Sequence, residues 1–156
     1  MPNYWLFKSE PHAYGFDQLR EDGVTPWSGV RNFKARNMMI AMEPGDLGLF
    51  YHSSIKEPCA VGICRVVKSA YADFTQFDET SEYYDPTSRH ERPKWKMVDV
   101  EYVEALPNPV TLARMRAEPR LDGMSLLKRG NRLSVQPVTP REWAIVMELA
   151  REAPAG

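Results

Sequence analysis

Between positions 27 and 37 the chain reads Trp27-Ser28-Gly29-Val30-Arg31-Asn32-Phe33-Lys34-Ala35-Arg36-Asn37, which places one Trp, one Phe, two Asn and three cations within eleven residues. A buried helix seldom takes two Asn and two Arg, and a solvated helix seldom starts from Trp-Ser-Gly. The mixture suits a pocket. A ring offers a face for stacking, amides read a polar edge, and cations hold a nearby anion.

Other aromatic residues keep similar company. Trp27 and Trp95 stand beside Gly, Pro, Arg or Lys in segments without periodicity, and Tyr71, Tyr83 and Tyr84 lie in polar surroundings. Trp5 and Trp143 fall in periodic segments and are expected in the core. Base–aromatic stacking contributes about 1–3 kcal/mol per base, so rings beside amides and cations fit a nucleobase site. Packing explains any one of these rings equally well; the set favours a site. Two cationic clusters, Arg89-His90-Glu91-Arg92-Pro93-Lys94-Trp95-Lys96 and Lys128-Arg129-Gly130-Asn131-Arg132, could meet phosphates, although each alone reads equally well as a solvated loop.

Catalytic chemistry is poorly served. The three His are at 12, 52 and 90, and His52-Ser53, adjacent on a predicted strand, point their side chains apart. There is no G-x-S-x-G elbow, G-x-G-x-x-G, phosphate loop or H-E-x-x-H. Asp73, Asp78, Glu79 and Asp85 could bind a metal, but their spacing matches no known loop. Cys59 and Cys64 are five apart, which a strand turns to opposite faces, so two reduced, partly buried thiols are expected. Neither metal nor cofactor is expected.

At 156 residues the chain is expected to be one domain, and its 43% hydrophobic and 11% aromatic content is globular. No apolar run reaches the roughly 20 residues of a membrane span. Met1-Pro2-Asn3-Tyr4 lacks the basic region and apolar stretch of a signal peptide, so an intracellular protein is expected. The net charge of −1 argues against holding long duplex by phosphate neutralisation; nucleic-acid binding would be local, through a pocket and a few cations.

The elements that must position these residues follow from periodicity. Strands are predicted at 3–8, 47–52, 60–68, 97–103 and 132–135, the first apolar on both faces and therefore central. Helices are predicted at 16–22, closed by Gly23, and at 31–42, where Phe33, Met39, Ile40 and Met42 form an inward stripe. Shorter ones are predicted at 111–117 and 123–128. Gly62 inside a strand predicts a bulge or a close backbone approach. Residues 71–96 form a long irregular loop of functional type. The last helix carries Thr139 as N-cap, Pro140 at its first position and Glu142 completing a capping box, with Trp143, Val146, Met147 and Ala150 on one face. Strands separated by short helices without regular alternation predict an α+β fold with a mixed, curved sheet.

The order of Tyr4-Trp5-Leu6-Phe7-Lys8-Ser9-Glu10-Pro11, Trp27-Ser28-Gly29-Val30-Arg31-Asn32, Ala35-Arg36-Asn37, Gly45-Asp46 and Phe50-Tyr51-His52-Ser53 resembles the EVE domain family. Tyr84-Asp85-Pro86, Pro93-Lys94-Trp95 and Arg132-Leu133-Ser134-Val135-Gln136-Pro137 continue the resemblance nearly to the end of the chain. Tyr71-Ala72-Asp73 departs from it, standing where the family usually has Tyr-Pro-Asp. The resemblance implies a PUA-like fold, a mixed, barrel-like β-sheet flanked by short helices. The single domain would span residues 1–150, with a flexible tail at 151–156. It also implies a non-enzymatic reader of modified nucleobases, with modified cytosine in DNA as the leading target and RNA as the alternative.

Carried over residue by residue, the resemblance implies a pocket lined by Lys8, Ser9, Trp27, Val30, Asn32, Asn37, His52, Ser53, Tyr84 and Asp85. In that pocket, which would hold a flipped or unpaired base, Trp27 would stack on the ring or wall the pocket, with Asn32 and Asn37 toward the base edge. Ser9 and Ser53 would add hydrogen bonds, and Asp85 would accept from an exocyclic amine. Arg31, Arg36, Lys94 and Arg132 would hold flanking phosphates. The expected partner is nucleic acid carrying modified bases, DNA before RNA, with no membrane, for a monomer in the cytoplasm (or the nucleus of a eukaryote). Two rivals are a hydrolase or glycosylase acting on a modified base, with Asp85 or Asp73 as general base and His52 assisting, and a protein-interaction domain whose pocket holds a small ligand or peptide.

Overall fold

The computed structural model describes residues 2–152. Its strands are β1 (Tyr4–Ser9), β2 (Val24–Pro26), β3 (Leu47–His52), β4 (Cys59–Ala72), β5 (Lys96–Thr111) and β6 (Val135–Val138). Its α-helices are α1 (Phe16–Asp22), α2 (Phe33–Ala41), α3 (Leu112–Arg116) and α4 (Pro140–Arg151). The strands form one mixed sheet in the order β2-β5-β4-β3-β1-β6. Only β1 and β3 run parallel, which sets Lys8 beside Tyr51 and Ser9 beside His52 at their carboxyl ends.

The fold is α+β as expected, but the sheet is not closed. Its edges are β2, three residues long, and β6, four residues long, and neither pairs with the other. Curvature comes from β4 and β5. Their pairing slips between Ala60 and Gly62, Ile63 and Cys64, Val66 and Lys68, and Lys68 and Tyr71, and such bulges bend a strand. A Cβ on Gly62 would lie 2.0 Å from the Phe16 ring, so only Gly lets α1 lie this close to the sheet.

Alternation along the central strands divides the core into two clusters. Leu6, Leu49, Ile63 and Val110 point to the side covered by Trp143 and Val146 of α4. Trp5, Phe7, Phe50 and Val100 point to the other, covered by Leu19 of α1 and by Ala35 and Met39 of α2. The capping box at Thr139 and Glu142 is present. Ile145 and Leu149 are buried beside the expected Trp143, Val146 and Ala150, because α4 meets both β5 and the 3₁₀ turn Pro119–Leu121.

Several expectations are corrected. Helix α2 starts at Phe33 rather than 31, and Phe33 and Ile40 are 54% and 50% exposed, with Ala35, Met39 and Met42 facing in. Phe33 instead stacks on Trp95, ring centroids 4.7 Å apart. The last strand runs Val135–Val138 rather than 132–135, an edge position that tolerates Pro137. Segment 123–128 holds only the 3₁₀ turn Ser125–Leu127. Arg151 closes α4, and the rest of the expected tail, 153–156, lies outside the described residues. Cys59 and Cys64 are free thiols, half-buried and buried.

Candidate nucleic-acid interface

The carboxyl ends of β1 and β3 open into a cavity of about 780 Å³. Ser53 donates its backbone N–H to Ser9 O at 2.9 Å, which ties the two strand ends together. Lys8, Ser9, Ser53 and Ser54 line one side. Pro26, Trp27, Ser28, Gly29 and Val30 also line it, and Glu10, Tyr14, Glu82, Tyr83, Asn131 and Arg132 contribute to the lining.

Trp27 is held firmly. Its backbone N–H donates to Val98 O at 2.7 Å, and the residue is only 9% exposed. The indole meets Phe7, Phe50 and Tyr14 edge-on, with centroids 5.3, 5.6 and 6.4 Å away. Trp27 is therefore core and cavity wall at once, not a ring on a separable loop.

The next residues are fixed by Asp73, which is completely buried. Its carboxylate accepts from Gly29 N–H at 2.7 Å and pairs with the Arg31 guanidinium at 3.2 Å. It also accepts from Thr75 N–H at 2.7 Å. Arg31 reaches on to Tyr83 O at 2.8 Å, and its guanidinium lies 5.3 Å from the Trp95 ring and 5.5 Å from that of Tyr83. Gly29 has φ +84°, and a Cβ there would sit 2.8 Å from the Tyr83 ring. Loop 73–95 is anchored behind this by buried Gln76, which donates to Asp73 O and Trp95 O and accepts from Trp95 N–H and Ser88 Oγ–H.

Of the residues expected in the pocket, Lys8, Ser9, Trp27, Val30 and Ser53 meet in this cavity, and Arg132 joins them. The others are placed elsewhere. Asn32 is the N-cap of α2, accepting from Ala35 N–H at 3.0 Å, and Asn37 accepts from the Arg36 guanidinium at 2.8 Å. His52 turns away, its Nε2 accepting from Phe16 N–H at 3.1 Å. Asp85 accepts from the Trp95 indole at 2.8 Å and from Thr87 Oγ–H at 2.6 Å. Tyr84 is exposed outside the cavity, and Tyr83 takes the lining position. Among the expected phosphate ligands, Arg31 is bound as above, Arg36 donates to Lys94 O at 2.9 Å, and the Lys94 ammonium donates to Thr87. Trp95 is buried beneath Phe33. Tyr14, Glu82 and Asn131 were not expected from sequence, since their places depend on how α1 and two distant loops pack.

The electrostatics separate structural groups from available ones. Hydrogen bonds from Thr87 and the Trp95 indole hold the Asp85 carboxyl down at about 2. Burial lowers His52 below its ordinary 6.5, against the opposing pull of Asp17. Burial also lowers the Lys8 ammonium from 10.5. Burial, helped by the hydrogen bond to Asp22, raises the Tyr14 hydroxyl to about 12, so it stays a neutral donor. Among the described residues no group of three or more His, Cys, Asp or Glu could hold a metal ion, and no helix is long and apolar enough to cross a membrane.

Comparison with known proteins places this geometry in context. The human protein thymocyte nuclear protein 1 is 36% identical, over 99% of this chain and 77% of its own length. A hypothetical protein from Leishmania major superposes with a TM-score of 0.91 at 45% identity, covering 96% of this chain and 95% of that one. Human THYN1 in complex with 5-methylcytosine containing DNA superposes equally well, at 37% identity and covering 97% and 99%. The YTH domain of Zygosaccharomyces rouxii MRB1, solved with N6-methyladenosine RNA, shares the fold at a TM-score of 0.55 and 14% identity. The EVE domain model matches residues 3–149, and the chain belongs to the EVE domain family.

Proposed function

We propose that this chain is a non-enzymatic reader of a modified nucleobase, most directly a modified cytosine in DNA, which it holds unpaired in the Trp27 cavity. The observation that carries the proposal is the cavity: a ring wall, several serines, a half-buried ammonium and Arg132 line one concave space. A relative at 37% identity, human THYN1, forms a complex with 5-methylcytosine DNA. Extruding a base from duplex costs a few kcal/mol, so a nearly neutral protein must recover that cost inside the pocket. Trp27 supplies an apolar wall and Lys8 a cation. Glu82 at the rim takes the role expected of Asp85, accepting from an exocyclic amine. The working unit is a single copy of the chain, since one chain lines the whole cavity, acting in the cytoplasm or, in a eukaryotic cell, the nucleus.

The residues named for the glycosylase reading have other partners. Asp85 is committed to Trp95 and Thr87, Asp73 is sealed against Gly29 and Arg31, and His52 faces α1. The carboxylates that do line the cavity are Glu82 and Glu10, the latter paired with the exposed His12 at 3.2 Å.

The test is a tryptophan-fluorescence titration with oligonucleotides that differ at one cytosine: unmodified, 5-methyl or 5-hydroxymethyl. Tighter binding of one modified strand, with the base intact after incubation, is the expected result. Equal weak binding to all three would overturn the cytosine assignment, and preference for a modified RNA base would replace DNA with RNA.

A further inference from the structure

A second cavity, of about 530 Å³, opens on the far side of Lys8. The two share Lys8 and Asn131, so they are neighbours separated by one side chain from β1 and one from the loop at 128–132. Their chemistry differs. Lys8, Arg116, Lys128 and Arg129 line the second cavity, and no Asp or Glu does. The whole chain carries 20 Lys and Arg against 21 Asp and Glu, so four cations without a carboxylate is a local departure from its balance.

These charges have no ion-pair partner among the described residues. The ion pairs among the described residues involve Arg31, Arg65, Arg114, Arg120 and His12, and none involves the four cations or Arg132. The loop that carries Lys128 and Arg129 is a built turn. Asn131 N–H closes on Lys128 O at 3.2 Å, and Gly130 adopts φ +79°, as the third residue of a type II turn requires. Asn131 locks it from below, donating to Ser125 O at 2.6 Å and Gln136 Oε1 at 3.0 Å. Beyond Arg116 and Lys128 the sign reverses, for Glu118 and Asp122 line the adjoining depression. The cationic stretch thus runs from Lys8 to Arg116.

We propose that this second cavity is a phosphate subsite of the reader. A strand whose base enters the Trp27 cavity passes over Lys8 and Asn131 and seats its neighbouring phosphodiester among Lys128, Arg129 and Arg116. The proposal rests on the base-reading function only for the direction of the strand. It replaces Arg31, Arg36 and Lys94, which the fold uses internally, as the source of phosphate contacts. It also explains how a chain of net charge −1 could bind nucleic acid at all, by concentrating unpaired cations in one place.

The test compares wild type with the double variant Lys128→Ala/Arg129→Ala, whose side chains are exposed, and with Arg20→Ala/Arg141→Ala, which removes two exposed cations outside both cavities. Each is titrated at several salt concentrations with a single strand carrying cytosine, 5-methylcytosine or an abasic residue at one position, and with inorganic phosphate. Each lost phosphate contact lowers the magnitude of the log–log salt slope by about 0.7 on single strands. The expected result is weaker binding of all three strands by Lys128→Ala/Arg129→Ala, a slope smaller by roughly 1.4, an unchanged ratio between methylated and unmodified strands, and no effect of the control. An unchanged slope overturns the subsite even if wild type prefers the methylated strand, in which case the base reading stands. Loss of slope without any base preference in wild type retains the subsite and removes the base reading. Binding of inorganic phosphate but of no strand assigns the cavity to a free anion and overturns the strand path.

Discussion

The ring of His52, at the end of β3, accepts the backbone N–H of Phe16, the first residue of α1, at 3.1 Å. A side chain from the sheet thereby satisfies one of the donors a helix leaves open at its start, where Gly15 offers no side-chain cap. Only a neutral ring can do this, because a charged imidazolium has no acceptor.

That bond makes stability depend on pH in a definite window. Burial lowers the folded His52 below its ordinary 6.5, so the unfolded chain takes up the proton first. The contribution is complete above pH 6.5 and is lost as pH falls through the lower folded value. Urea unfolding between pH 8 and pH 5 is expected to show this decline in wild type. His52→Gln, which keeps an acceptor and cannot titrate, should flatten it. Identical pH curves for the two proteins would show that the Phe16 cap carries no pH dependence.

Gly29 and Gly45 both have positive φ, +84° and +99°, yet only Gly29 faces a neighbour, the Tyr83 ring 2.8 Å from where a Cβ would be. Gly45→Ala should cost about 1–2 kcal/mol, the backbone penalty alone. Gly29→Ala should cost more and also weaken nucleic-acid binding, since moving Tyr83 shifts the cavity margin. Thermal melts and oligonucleotide titrations of the two variants measure both effects. Equal destabilisation would mean that Tyr83 yields freely.

Much of the scaffold was legible because neighbours in sequence decide it. Thr139, Pro140 and Glu142 mark the start of α4 by their own hydrogen bonds, and β1 announces a central place by being apolar on both faces. Gly62 signalled a close approach, though not that Phe16 makes it. Strand β2 was missed because it is three residues long with Val24 and Pro26 exposed, too short for any period. Of the expected pocket residues, Lys8, Ser9, Trp27, Val30 and Ser53 do share one cavity, while Asn32, Asn37, His52 and Asp85 have partners within the fold. Asn32 is a favoured N-cap type just before Phe33, a local signal that outweighs its motif. Asp85 and Trp95 satisfy each other across a loop, and nothing in their spacing says so. Long-range partners of this kind turned Arg36 and Arg31 from ligand contacts into internal ones, while Asn37 is taken up by its own neighbour Arg36.

The two acidic candidates for contact with a base separate cleanly by substitution. Asp85→Asn should loosen the Trp95 anchor and lower stability while leaving the ratio between methylated and unmodified strands unchanged, because Asp85 does not line the cavity. Glu82→Gln should leave the melt unchanged and alter that ratio, because Glu82 stands at the cavity rim in exposed surroundings. Competition titrations with both strands measure the ratios. A changed ratio for Asp85→Asn alone would return Asp85 to the role of base contact.

Trp27 is at once core and cavity wall, and its substitutions must be chosen accordingly. Removing the indole takes away its edge contacts with Phe7, Phe50 and Tyr14, and a Trp→Ala change in such a place costs about 3–5 kcal/mol. Loss of binding in Trp27→Ala therefore says little about stacking. Trp27→Phe keeps a ring against Phe7 and Phe50 and should remain folded, with a smaller loss of stability by urea titration. It offers less surface to a base, so affinity should fall by part of the roughly 1–3 kcal/mol that stacking contributes. The decisive comparison is an abasic strand, on which wild type and Trp27→Phe should bind alike. If the variant loses affinity equally for abasic and base-bearing strands, Trp27 shapes the cavity without touching the base.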